Sequence, residues 1–163
     1  MCSYLRQILK TRDFKLSVSL NNTTKVKVRN ILLIDDNDID TFINKHVISR
    51  SNIADTITVK NSAIAAIDYL RNGLRNAEEF PDIIFLDIKM PEMDGFGFLK
   101  EYESLQDDKK EICTIIMLTS SIDPNDIERA KSNPHVKKYL SKPLHEKMLS
   151  NIFESDFQFK TDL

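Results

Sequence analysis

Asp35-Asp36, Asp87, Thr119-Ser120 and Lys142 are the residues of this chain whose types and placement could do chemistry, each standing just past an apolar run. Three carboxylates brought together repel one another and cannot all stay ionised unless a cation sits among them. Hard oxygen ligands, with no His or Cys nearby in sequence, suit Mg2+ rather than zinc. Mg2+ held by one or two carboxylates completes its shell with waters and phosphate oxygens. A lysine and a threonine hydroxyl converging on the same spot add a point charge and a donor for those oxygens. Phosphoryl transfer needs such positioning and charge neutralisation more than it needs covalent catalysis. A carboxylate there can itself accept the phosphoryl group as an aspartyl-phosphate. Any one of these acids alone reads as well as a helix cap or a solvated loop end. The consistent set is what argues for a site.

The elements that must bring them together follow from periodicity. Ile31-Leu32-Leu33-Ile34 is a strand-length apolar run, the mark of a strand buried on both faces, and it stops at Asp35-Asp36. A helix follows with Ile39, Phe42, Ile43 and Val47 on one stripe. Thr56-Ile57-Thr58-Val59 reads as a short strand, and Ala63, Ala66, Ile67 and Leu70 as a helix stripe ended near Gly73. Ile83 to Leu86 is the next buried strand, Phe98, Leu99, Tyr102 and Leu105 a third helical face, and Ile112 to Leu118 a fourth strand. Asp123 can cap the next helix, with Pro124 in its first turn and Asp126 at its positive end, and Asn133-Pro134 stops it. Val136 to Leu140 is a last strand, and Pro143 can start a final helix carrying Leu144, Met148, Leu149 and Ile152. Five β-α units predict a parallel sheet covered by helices on both faces, with its ligand crevice at the carboxyl ends of the strands.

Composition bounds the rest. The chain has 163 residues, 23 basic against 25 acidic, and 41% apolar content, enough for one core. A net charge of −2 gives no overall pull toward nucleic acid or an anionic membrane. No apolar run approaches the roughly 18 residues a membrane span needs, and the first ten residues lack a secretory signal's long apolar stretch. Both points predict a cytoplasmic protein. Cys2 and Cys113 cannot make a disulfide framework or a four-ligand zinc site. Charge is uneven: residues 1–29 hold seven basic side chains and one acid, whereas the remainder holds 16 basic and 24 acidic. Residues 1–29 therefore read as a basic extension. Tyr4, Leu5, Ile8 and Leu9 offer a short helical face, and Phe14, Leu16, Val18 and Leu20 an added edge strand.

Residues 30–153 resemble the receiver domain of two-component response regulators, in a stand-alone form similar to chemotaxis regulators, with residues 154–163 as a tail. The matching stretches are Ile31-Leu32-Leu33-Ile34-Asp35-Asp36, Ile83 through Asp87 to Gly95, Met117-Leu118-Thr119-Ser120-Ser121, and Lys137-Lys138-Tyr139-Leu140-Ser141-Lys142-Pro143. The resemblance implies an α/β flavodoxin-like, doubly wound five-stranded sheet ordered 2-1-3-4-5. It implies that Asp87 is the phosphoacceptor. Asp36, Asp87 and the backbone carbonyl of Lys89 would ligate Mg2+, with Asp35 acting through a water. Lys142 would pair with Asp87 or its phosphoryl oxygens, and its bond to Pro143 would be cis. Thr119 would hydrogen-bond the phosphoryl group, and Tyr139 would change rotamer as Thr119 moves inward. Met90 to Gly95 would form the loop beside the site, with Gly95 allowing a positive φ. Lys89 and Ser121, two residues past Asp87 and Thr119, would flank the path of the hydrolytic water and tune the phosphoryl lifetime.

Other motifs fall away. Asp36-Asn37-Asp38-Ile39-Asp40 is similar to a calcium loop, but position six is Thr41 and position twelve Val47. A haloacid-dehalogenase-like phosphatase needs a second Asp where Lys89 stands. His46, His135 and His145 are far apart in sequence, and Cys113 fits a small buried apolar role. The expected function is a signalling domain rather than an enzyme. It would take its phosphoryl group from a sensor histidine kinase or a histidine phosphotransfer protein. About ten residues after the last helix leave no room for a DNA-binding domain, so the signal would pass to a protein partner or a second copy. The expected contact face is the fourth helix, fifth strand and fifth helix (Ile127, Ala130, Tyr139, Leu144, Met148), extended by Phe153, Phe157 and Phe159. A complete acid, Thr and Lys set argues against the alternative, a phosphorylation-independent interaction module.

Overall fold

The computed structural model describes residues 16–18, 24–73, 79–105, 113–120 and 123–156. Strands β1 (Leu16–Val18) and β2 (Thr24–Val26) pair antiparallel in a two-stranded sheet of their own. The stretch around Leu16 and Val18 is thus a strand, but it pairs locally and adds no edge to the main sheet. The Tyr4–Leu9 helical face lies outside the described residues.

The body is β3 (Val28–Ile34), α1 (Asp38–Ser51), β4 (Ala54–Lys60), α2 (Ala63–Gly73), β5 (Ile83–Asp87), α3 (Gly95–Glu103), β6 (Thr114–Thr119), α4 (Pro124–Ser132), β7 (Val136–Ser141) and α5 (Glu146–Asp156). Its five strands are all parallel and ordered β4-β3-β5-β6-β7, the expected 2-1-3-4-5. Alternate residues of each central strand enter different cores. Leu32, Ile34, Ile84, Leu86, Ile115 and Met117 join Ala66, Ile67 and Leu70 of α2 and Phe98 and Tyr102 of α3. Ile31, Leu33, Ile83, Phe85, Ile116 and Leu118 join Ile48 of α1 and Leu149, Ile152 and Phe153 of α5. Both faces being buried explains why these strands read as continuous apolar runs. Among the described residues no helix is long and apolar enough to cross a membrane.

Four expectations need correction. Only the end of the α1 stripe reaches the core: Val47 packs against it, whereas Ile39 is 70% and Phe42 73% exposed, Ile43 is exposed too, and the buried residues are Asn44 and Ile48. Asp40 pairs with Lys142 and Asn44 accepts the Leu144 N–H, and both lie on the side of the helix that buries Ile48. Pro143 does not start the last helix; it follows a cis peptide from Lys142, and α5 begins at Glu146 after buried Leu144. Gly95 has no positive φ, which in this loop belongs to Glu92 at 65°. Gly95 is needed for space, because a Cβ there would lie 2.5 Å from the Asp87 carbonyl oxygen. Finally, Ala130, Leu144 and Phe153 are core residues, which leaves Ile127, Tyr139 and Met148 partly exposed on the expected contact face. Phe157 and Phe159 lie outside the described residues.

Candidate functional site

Register brings the acids together. Ile34 pairs with Leu86, and Leu86 with Met117, so Asp35 and Asp87 emerge side by side at the carboxyl ends of β3 and β5. One carboxylate oxygen from each of Asp35, Asp36 and Asp87 lies within 4.8 Å of the others. Asp35 and Asp87 are buried, and Asp36 is exposed at the mouth. Asp35 Oδ1 accepts the Asn37 N–H at 3.0 Å, and Asp87 Oδ1 accepts the Ile88 N–H at 2.8 Å. The second oxygens face Lys142, whose Nζ lies 2.7 Å from Asp35 Oδ2 and 3.1 Å from Asp87 Oδ2.

Lys142 is placed by backbone geometry. Its N–H donates to the Thr119 carbonyl at 2.7 Å, locking the end of β7 to the end of β6, and its side chain is 7% exposed. Thr119 is buried at the end of β6, opposite Ser141. Tyr139 is half-buried, opposite Met117, and packs on the α2–α3 side of the sheet. The loop after β5 is pinned by the Gly95 N–H donating to the Ile88 carbonyl at 2.8 Å and by Asp94, whose side chain caps α3. Lys89 is exposed and, with Asp36, Pro91, Phe96, Asp126 and Arg129, lines an open depression of about 530 Å³ next to the acids. The Arg129 guanidinium lies 3.8 Å from the Phe96 ring centre, so cation–π contact ties α4 to α3 across it. Ser121 lies outside the described residues.

Asp40 is the site residue that the sequence reading passed over. It sits in the acid-rich run considered only as a calcium loop, yet its Oδ2 accepts a hydrogen bond from Lys142 at 3.1 Å. The usable signal was its place one helical turn before Asn44, with both polar residues on the face turned toward the loop before α5.

Three carboxylates, Asp35, Asp40 and Asp87, thus pair with one ammonium, and Asp36 adds a fourth negative charge beside Asp35 and Asp87. Burial pushes the Asp35 and Asp87 carboxyls above the usual carboxylate value, Lys142 opposing it in both. Burial also works against the Lys142 charge, but the hydrogen bond to Asp35 and the charges of Asp87 and Asp35 outweigh it, holding the ammonium above the ordinary lysine value. Anionic excess, hard oxygen donors and an exposed mouth suit an Mg2+-like cation, so the residues fit the metal their types suggested.

A family model described as response regulator receiver domain matches residues 31–154. A probable methanogenesis regulatory protein, FilR2, of Methanothrix harundinacea is 31% identical over 114 residues, covering 70% of this chain and 72% of its own. The chain spans about half or less of several other curated relatives. Among solved structures, a two-component response regulator from Cytophaga hutchinsonii is 34% identical with a TM-score of 0.73, covering 80% of this chain and 98% of that one. The Mn2+-bound form of response regulator Rcp1 is 27% identical with a TM-score of 0.65, covering 82% and 97%.

Proposed function

This chain belongs to the response regulator receiver domain family, and on that premise we propose that it accepts a phosphoryl group on Asp87 from a phosphohistidine donor. The observation that carries the reading is the Lys142 ammonium held 3.1 Å from Asp87 beside a three-carboxylate cluster. An Asp87 carboxylate oxygen attacks phosphorus, the O–P bond forms as the P–N bond of the donor breaks, and the leaving imidazole takes up a proton. Lys142 and the Thr119 hydroxyl then meet the phosphoryl oxygens. Asp36, Asp87 and the Lys89 carbonyl would hold Mg2+, with Asp35 acting through water. Bound Mg2+ would supply charge neutralisation to the carboxylates and the phosphoryl oxygens.

The new group adds roughly −1.5 to −2 of charge at the carboxyl end of the sheet. Thr119 and Tyr139 would carry that change to the α4–β7–α5 face, where Ile127, Tyr139 and Met148 are partly exposed. That face would bind a protein partner or a second copy, in the cytoplasm where such donors act. The domain would be a signalling module rather than a turnover enzyme. Lys89, at the rim, would alter the phosphoryl lifetime by standing in the path of the hydrolytic water. Ser121 would flank the same path.

Intact-mass spectrometry after incubation with acetyl phosphate tests this. A gain of one phosphoryl group that needs Mg2+ and is absent in Asp87→Asn supports it. Where rapid hydrolysis hides the adduct, beryllofluoride binding read by Tyr139 fluorescence substitutes. Neither adduct nor beryllofluoride response would sink the phosphorylation reading and leave a phosphorylation-independent interaction module.

A further inference from the structure

Helix α1 grips the loop between β7 and α5 at two points one turn apart. Asp40 Oδ2 accepts a hydrogen bond from the Lys142 ammonium at 3.1 Å, and Asn44 Oδ1 accepts the Leu144 N–H at 3.3 Å. Asn44 is 1% exposed and its Nδ2 has no hydrogen-bond partner among the described residues. A buried amide with an unmet donor carries a desolvation cost, which its accepting contact with Leu144 must help to offset. Asn44, with Ile48 buried one turn on, holds this side of α1 inward, the side from which Asp40 reaches Lys142.

Asp40 lies outside the Asp35, Asp36 and Asp87 cluster. In the absence of a cation the Lys142 ammonium is what neutralises Asp35 at 2.7 Å and Asp87 at 3.1 Å. A dication among those three acids takes over that role and repels the ammonium a few ångströms away. Lys142 would then leave just when phosphoryl oxygens need a counter-charge. A carboxylate that the dication does not claim holds it in place.

We propose that Asp40 is a positioning residue that keeps the Lys142 ammonium at the site when a divalent cation occupies the carboxylate cluster, an inference that rests on the metal-assisted reading above. Its removal turns lysine and metal from neighbours into competitors. It also takes one negative charge from the site, which weakens metal binding in the same direction.

The test is 1H–15N NMR of lysine ammonium groups in the full chain, titrated with MgCl2, with the Lys142 resonance identified by its loss in Lys142→Arg. In the wild type that resonance shifts and persists at saturating Mg2+. In Asp40→Asn it is visible without Mg2+, since Asp35 and Asp87 still hold the ammonium, and disappears as Mg2+ binds. The Mg2+ dissociation constant rises roughly threefold to tenfold, and Asp40→Glu restores persistence. Backbone resonances of the same samples report that each variant is folded. An Asp40→Asn protein that keeps the resonance in Mg2+ with an unchanged dissociation constant overturns the inference alone. So does a wild type that loses the resonance while binding Mg2+. A wild type with no response to Mg2+ overturns the metal reading and this inference with it.

Discussion

Strand β5 is flanked by two buried aspartates, one at each end of the sheet. Asp82, just before the strand, accepts the backbone N–H groups of Arg29 at 2.8 Å and Asn30 at 3.0 Å. These two backbone donors are neutral and fixed, and they join the amino ends of β3 and β5. Asp87, the strand's last residue, takes one backbone N–H and shares Lys142 with Asp35 and Asp40. Satisfied by backbone, a buried carboxylate serves the fold. Left to share one cation with other acids, it favours ligands that bring positive charge.

The largest stability effect should come from the amino end. Asp82→Ala leaves two backbone N–H groups without their acceptor and should lower the unfolding free energy by about 1–3 kcal/mol. Urea denaturation measures it, and Mg2+ affinity should stay at the wild-type value. Were the loss below about 0.5 kcal/mol, or Mg2+ binding weakened, the division of labour between the two ends would not hold.

Asp87→Asn should act in the opposite direction. Burial and the Asp35 charge push the Asp87 carboxyl upward, so its ionised form is disfavoured in the folded state. Removing that charge should raise the melting temperature of the metal-free protein by about 2–4 °C. Under the metal-assisted reading, Mg2+ should raise the wild-type melting temperature further, and that rise should shrink in the variant. A metal-free variant less stable than wild type would mean that Lys142's attraction outweighs the burial of the charge, and the comparison would have to be redrawn.

This contrast also explains what could be read before the structure. The apolar runs of β3, β5 and β6 are legible because each is buried on both faces, and the acids that end them are legible because parallel strands finish together. Helix α2 was equally plain, with Ala63, Ala66, Ile67 and Leu70 all buried. Helix α1 was not. Its inward face carries two long-range polar contacts, Asp40 with Lys142 and Asn44 with Leu144, about a hundred residues apart in the chain, which periodicity does not reveal. The family resemblance points to backbone freedom at Gly95, whereas its need is steric and comes from the Asp87 carbonyl. Pairing of Leu16–Val18 with Thr24–Val26, rather than with the main sheet, follows from a partner that alternation alone does not name.

The smallest expected effect tests that account of α1. If the inward side of α1 is the one that carries Asp40, Asn44 and Ile48, the outward Phe42 contributes nothing to the core. At 73% exposed it meets the His46 ring at 6.4 Å between centroids, a surface stacking worth little. Phe42→Ser should therefore change the unfolding free energy by no more than about 0.5 kcal/mol, against the loss expected at Asp82. Differential scanning calorimetry with chemical denaturation resolves that difference. A loss above about 1 kcal/mol would mean that Phe42 does contribute to the folded state. The apolar stripe of α1 would then belong to the fold beyond its end at Val47.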